Sequence, residues 1–153
     1  MRVSFSVLLS VYWKENPVYL RDSLDSVFGQ TVRASEVVLV EDGPLTPDLD
    51  RVVEEYEAKY PELKVIKLPQ NRGLGLALNE GMKHCTNELI ARMDTDDICK
   101  PYRFERQLAV FQAHPEIDVC SSWIDEFVGD INNVRSKRCL PETHEEIVRY
   151  AKG

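Results

Sequence analysis

"SEVVLVEDGPLTPDLDRVVEEYEAKYP", residues 35–61, packs a strand, a tight connection and a helix into one stretch. "SEVVLVED" carries the uninterrupted apolar run of a strand buried on both faces. In the second half Thr46 is placed to cap a helix and Pro47 to occupy its first turn, while Leu49, Val52, Val53 and Tyr56 share one face. A doubly buried strand followed by a one-sided helix is the repeating unit of a parallel sheet covered by helices.

The same unit recurs on either side. Upstream, residues 3–11 form a β-branched and apolar run. "ENPVYLRDSLDSVFGQ" then shifts to helical spacing, with Leu20, Leu24, Val27 and Phe28 on one face, Asn16 as cap, Pro17 in the first turn and Gly29 at the end. Downstream, "LKVIKL" reads as a strand, "PQNRG" as a turn, and "LGLALNEGMKHC" as a helix burying Leu74, Ala77, Leu78, Gly81 and Met82. "ELIARM" reads as a central strand that ends on an acidic cluster. Pro101 opens the next helix, "PYRFERQLAVFQAHP", with Phe104, Leu108 and Phe111 inward, and residues 117–121, "IDVCS", read as a fifth strand. Beyond about residue 129 the pattern weakens to loop and short helix. Alternating strands and helices of this length predict an α/β fold of three layers, αβα, Rossmann-like, with a mostly parallel sheet, over a single domain of residues 1–153.

Composition narrows the function. The net charge of −7 over 153 residues disfavours nucleic acid and anionic membrane surfaces as partners. Cys85, Cys99, Cys120 and Cys139 show no CxxC pairing and no zinc spacing, as expected of reduced thiols in a cytoplasmic protein. The apolar start, "VSFSVLLSV", is too short to span a membrane.

In an open parallel sheet, ligands bind beyond the carboxyl ends of the strands. The residues expected there are Ser10, Val11 and Tyr12; Glu41, Asp42 and Gly43; Gln70, Asn71, Arg72 and Gly73; and Asp94, Thr95, Asp96 and Asp97. Taken singly, "EDGP" and the Asp run are also ordinary turn and cap sequences. Their recurrence at successive strand ends is what argues for a site. Five carboxylates at one rim repel unless they are dispersed, capped or neutralised, and a hard divalent cation held by Asp94 and Asp96 would neutralise them. Arg72 and the helix N-terminus after it suit phosphate oxygens.

Other chemistries lack their motifs. "GLGLAL" has Leu78 where a dinucleotide fingerprint needs glycine, and no P-loop or Gly-x-Ser-x-Gly elbow is present. His84, His114 and His144 form no partner pattern and suit surface or capping roles.

Nearly the whole chain resembles the inverting family 2 glycosyltransferases of GT-A fold, in their bacterial surface-polysaccharide form. The stretches that carry the resemblance are "SVLLSVYWKENPVYLRDSLDSVFGQT", "VVLVEDGPLT", "NRGLGLALNEGM", "RMDTDD" and "KPYRFERQ", in that order. The resemblance implies a hexosyl transfer from a nucleotide-diphosphate sugar, most often a UDP-sugar, to a saccharide or lipid-linked acceptor. Ser10, Val11 and Tyr12 would line the base pocket, and Glu41 or Asp42 would contact the base. Asn71, Arg72 and Gly73 would border the nucleotide, with Asn79 on the helix beyond. Asp94 and Thr95 would join the nucleotide-sugar-binding residues, Asp94 facing the ribose or a metal-bound water, while Asp96 would coordinate Mn2+ or Mg2+.

The general base of such enzymes lies on a later helix and is expected after Gly153. Asp125 and Glu126 sit too near the DxD to replace it and are assigned to a loop or strand edge. The chain is therefore expected to be the donor-binding portion of a longer enzyme, truncated before the acceptor-binding half and inactive alone. Two alternatives remain at this stage. One is a noncatalytic nucleotide-sugar-binding module. The other is a haloacid-dehalogenase-type phosphatase, which would need "MDTDDI" after its first strand instead of its fourth.

Overall fold

The computed structural model describes residues 4–151, so Val3, the first residue of the expected opening strand, lies outside them. The chain divides into two compact units, residues up to Ala109 and residues from Val110 onward.

In the first unit β1 (Ser6–Val11), α1 (Pro17–Phe28), β2 (Glu36–Glu41), α2 (Pro47–Lys59), β3 (Leu63–Lys67), α3 (Leu74–Met82) and β4 (Ile90–Arg92) follow in order, and α4 (Arg103–Ala113) begins here. The strands form a four-stranded sheet in the order β3-β2-β1-β4, with every pairing parallel. Asn16 Oδ1 accepts the Val18 amide and Thr46 caps Leu49, each just before a proline, so both helix starts follow their sequence signals.

Strand alternation sorts the core into two faces. Val7, Leu9, Val11, Val37 and Leu39 meet Leu20, Leu24 and Val27 of α1 and Leu49, Val52 and Val53 of α2, with Phe104 of α4 completing this layer. Leu8, Val38 and Val40 face the other way, onto Ala77 of α3. Helices on both faces make the expected αβα layering. Each fully buried Leu or Val contributes about 1.5–3 kcal/mol of transfer free energy. Where α1, α2 and β3 converge, Phe28 stacks on Tyr60 with ring centroids 3.8 Å apart, and the buried Tyr56 hydroxyl donates to Asp25 Oδ1 at 2.5 Å.

Four local expectations are corrected. α3 buries only Ala77 and Gly81, leaving Leu74 and Met82 about half exposed, because it lies so close to the sheet that just a narrow stripe is covered. A Cβ on Gly81 would stand 2.4 Å from Leu8 Cδ1 and 2.7 Å from Val40 Cγ2. β4 spans three residues and, among the described residues, pairs with β1 alone, so the central place expected of it is not seen. α4 starts at Arg103, since Pro101 and Tyr102 form the preceding turn. Finally, residues 117–121 form no strand.

In the second unit β5 (Ile124–Phe127) and β6 (Val134–Arg138) pair as an antiparallel hairpin, followed by α5 (His144–Ala151). Gly129, at φ 74°, lies in the connection, where its backbone freedom is needed. Asp125 and Glu126 thus belong to a strand, and Glu126 takes a hydrogen bond from Ser136 and an ion pair from Arg138.

Candidate functional site

The strand order reverses at β1: the chain moves outward through β2 and β3, then returns to β4 on the far side. A crevice forms beyond the carboxyl ends at such a switch point. Its walls here are the loop after β1, residues 12–16, and the loop after β4, residues 93–102. The loops after β2 and β3 stand beside it.

One hydroxyl draws the walls together. The buried Thr95 hydroxyl lies 2.9 Å from Glu15 Oε2 and 3.3 Å from the Ser10 carbonyl oxygen. Glu15 Oε1 also accepts the Asn16 amide at the start of α1. Tyr12 and Trp13 are about half exposed on the same loop, with the Lys14 ammonium 5.0 Å from the Trp13 ring. Val11 differs from its neighbours. Its side chain is fully buried in the core and its carbonyl accepts the Asp42 amide at 2.8 Å, so its place is beneath the crevice.

The acidic pair after β2 splits because neighbouring residues on a strand point to opposite faces. Glu41, 3% exposed, turns to the side of α2, where its Oε1 sits 3.0 Å from Lys67 Nζ at an angle that misses hydrogen-bond alignment. Burial pushes the Glu41 carboxyl above its ordinary range, Lys67 opposes that shift, and Glu41 in turn raises Lys67. Asp42 turns toward the loop after β3: Oδ1 accepts the Arg72 amide at 2.8 Å, Oδ2 accepts the Gly73 amide at 2.9 Å, and its carbonyl accepts Asn71 Nδ2 at 3.2 Å. Gly43 lets these loops touch, since a Cβ there would stand 2.5 Å from the Asn71 nitrogen. Gly73, at φ 89°, opens α3, and the Asn71, Arg72 and Asn79 side chains are exposed to solvent.

In the loop after β4, Asp94 pairs with Arg92, and its carbonyl accepts the Ser23 hydroxyl at 3.0 Å. Asp96 is exposed and makes no hydrogen bond or ion pair with another described residue. Asp97 is exposed overall, yet partial desolvation, and then the repulsion of Asp96 and Asp94, push its carboxyl above the usual range. Behind the loop, Arg103 places Nη1 3.2 Å from both Met93 Sδ and Cys99 Sγ and donates Nη2 to the Arg92 carbonyl at 3.1 Å. All four cysteines are free thiols.

The five carboxylates are therefore partly resolved by the protein itself. Glu41 has Lys67, Asp42 has two amides and Asp94 has Arg92, which leaves Asp96 and Asp97 facing water. Among the described residues no three His, Cys, Asp or Glu side chains converge on a cation site. One or two exposed carboxylates fit a Mg2+ or Mn2+ that draws its remaining oxygens from water and a diphosphate.

Sequence reasoning did not single out Glu15, Ser23, Ser26 or Gln30. Ser23 is a polar residue on the apolar face of α1, between Leu20 and Val27, and Gln30 lies just past Gly29; both are buried in the fold. Ser26 Oγ accepts the Cys99 amide at 3.0 Å, while Gln30 donates Nε2 to the Lys100 carbonyl at 2.8 Å and accepts the Phe104 amide at 3.2 Å.

Comparison with known proteins places this arrangement. The model of glycosyl transferase family 2 matches residues 6–152. The amylovoran biosynthesis glycosyltransferase AmsE of Erwinia amylovora is 43% identical over 97% of this chain and 54% of its own length. The UDP-Gal:alpha-D-GlcNAc-diphosphoundecaprenol beta-1,3-galactosyltransferase of Escherichia coli is 34% identical, again over 97% of this chain and 54% of its own. The chain thus spans about half the length of these curated relatives. Among solved structures, S. aureus TarS 1–349 in complex with UDP-GlcNAc superposes with a TM-score of 0.65 at 29% identity, covering 74% of this chain and 32% of that 1–349 chain. With its parallel strands and switch-point crevice, and with the family model matching nearly its whole length, the chain belongs to glycosyl transferase family 2.

Proposed function

We propose that the crevice is the donor site of an inverting glycosyltransferase that takes a UDP-sugar, with metal assistance, and serves a saccharide or lipid-linked acceptor in bacterial surface-polysaccharide assembly. The observation that carries this reading is the exposed, unpaired Asp96 on a loop clamped to the end of β1. It is supported by a relative named for UDP-Gal and a structural neighbour solved with UDP-GlcNAc.

In this reading Ser10, Tyr12 and the backbone over Val11 border the base. Asp42 holds Asn71, Arg72 and Gly73 in place, leaving the Arg72 guanidinium to meet phosphate oxygens beside the N-terminus of α3. Glu41 supports the sheet edge from the opposite face, so of the acidic pair Asp42 is the one set toward the nucleotide. Asp96, with Asp94 beside it, would hold Mn2+ or Mg2+; when bound, the cation neutralises charge developing on the diphosphate leaving group. Thr95 and Glu15 fix the spacing between the base-side and metal-side loops. A base for the acceptor hydroxyl is assigned to residues after Gly153, so residues 1–153 form the donor-binding part of a single GT-A domain in a cytoplasmic or membrane-associated enzyme.

Calorimetric titration of UDP with and without Mn2+ tests this. Wild type is expected to bind UDP more tightly with Mn2+, and Asp96→Ala to lose about tenfold or more of that gain, as for deletion of a hard carboxylate ligand. Equal binding by the two proteins would reject the assignment. Binding without sugar transfer in an enzyme extended beyond residue 153 would favour a noncatalytic binding module.

A further inference from the structure

We infer that α1 and the turn just past its end position the acidic loop: Ser23, Ser26 and Gln30 set the geometry in which Asp94 to Asp97 meet a divalent cation. This inference rests on the donor-site reading above.

Residues 93–102 contain neither helix nor strand, yet they carry three carboxylates within four positions. Like charges at that spacing drive a loop apart, and a cation site needs its oxygens held to within about half an ångström. Something must oppose the repulsion before the cation arrives. Ser23 and Ser26 fall at i and i+3 on one side of α1, and Gln30 follows just past the Gly29 that caps it. Ser23 Oγ donates to the Asp94 carbonyl at 3.0 Å, Ser26 Oγ accepts the Cys99 amide at 3.0 Å, and Gln30 closes the far end on Lys100 and Phe104. The Thr31 amide adds a bond to the Pro101 carbonyl at 2.8 Å.

A fully buried serine hydroxyl on an apolar helix face is costly unless it is hydrogen-bonded, and the partner here is the backbone of the first acidic residue. The three side chains bond the entry, the middle and the exit of the loop, while Thr95 is held from the other wall by Glu15 and Ser10. The loop is gripped from both sides through main chain and Thr95, which leaves the Asp96 and Asp97 carboxylates free of these bonds. α1 thereby sets where the carboxylates stand without touching a ligand.

The test is calorimetry of UDP with and without Mn2+ on the 153-residue chain, comparing wild type with Ser23→Ala and Gln30→Glu, alongside thermal midpoints. Ser23→Ala removes the donor with little change of volume. Gln30→Glu keeps the acceptor for Phe104 and loses the donations to the Lys100 and Ser26 carbonyls. Ser23→Ala is expected to lower the Mn2+-dependent gain in UDP affinity by about fivefold, the worth of one net hydrogen bond, and Gln30→Glu, which loses two, by at least as much, while metal-free UDP affinity stays within about twofold. A purely structural role would weaken binding equally with and without Mn2+, and that result, or an unchanged gain, overturns the inference. If Ser23→Ala does not fold, the half-buried Ser26→Ala carries the same comparison. Wild type showing no Mn2+-dependent gain would bring down the donor-site reading and this inference with it, whereas a normal wild-type gain matched by the variants would bring down this inference alone.

Discussion

Replacing Asp42 by Asn is the sharpest probe of how the strand ends are joined. The carboxylate is 2% exposed and accepts two main-chain amides, from Arg72 at 2.8 Å and Gly73 at 2.9 Å. A hydrogen bond to a charged acceptor contributes about 1.5–3 kcal/mol. Asn keeps one bond at the neutral value of about 1 kcal/mol and points its amine at the second N–H. The gross loss is about 2–5 kcal/mol, but Arg72 and Gly73 are exposed and water can satisfy a released amide, so about 1.5–3 kcal/mol should register. Urea denaturation would read this as a lower midpoint at unchanged slope, and amide hydrogen exchange would show Arg72 and Gly73 losing protection. A midpoint shifted by less than about 0.5 kcal/mol equivalent, with both amides still protected, would mean that Asp42 does not tie the loops together.

Gly81→Ala forces a methyl to within 2.4 Å of Leu8 and 2.7 Å of Val40; overpacking of about 1–3 kcal/mol outweighs the roughly 1 kcal/mol gain in helix propensity, so the thermal midpoint should fall, and a rise would refute the close approach. Lys67→Met leaves the buried Glu41 without its cation. Discounted for the exposure of Lys67, the cost at pH 7 is about 1–3 kcal/mol, and it should shrink as the pH falls and Glu41, already raised by burial, takes up a proton. A loss that is independent of pH would contradict the pairing. For Glu36, desolvation acts upward, but hydrogen bonds from Ser6 and Thr86 prevail and hold the carboxyl below its ordinary value. Its contribution is therefore present above the unfolded value and disappears as the pH falls through the folded one. Glu36→Gln should flatten the stability profile across that acidic window, and an unaltered acid slope in denaturation curves would refute it.

Much of the fold was legible because local and tertiary signals agreed. Asn16-Pro17 and Thr46-Pro47 mark helix starts through capping and fixed φ, and the buried faces of α1 and α2 follow the 3.6-residue period. Agreement failed where tertiary distance decides. The apolar residues of α3 fit a wide buried stripe, but Gly81 brings the helix so near the sheet that Leu74 and Met82 stay outside. "IDVCS" has strand composition yet no partner, whereas the β5–β6 hairpin, mostly exposed, lacks the alternation that would reveal it. At the site, strand ends located the acidic residues correctly along the sheet edge. The opposite orientations of Glu41 and Asp42, and the support lent by Ser23 and Gln30, depend on pleat and packing that spacing does not encode.

The short edge strand has a consequence for colloidal behaviour. A parallel ladder directs alternate residues toward one neighbour, so with Leu89 and Met93 bonded to β1, the outward-facing main-chain groups of β4 belong to Ile90 and Arg92. The Arg92 carbonyl is already taken by the Arg103 guanidinium. A strand from another molecule would thus find little more than one residue's worth of free donors and acceptors along β4. Arg103 thus occupies a carbonyl that an incoming strand would need, and its loss would free one more acceptor along β4.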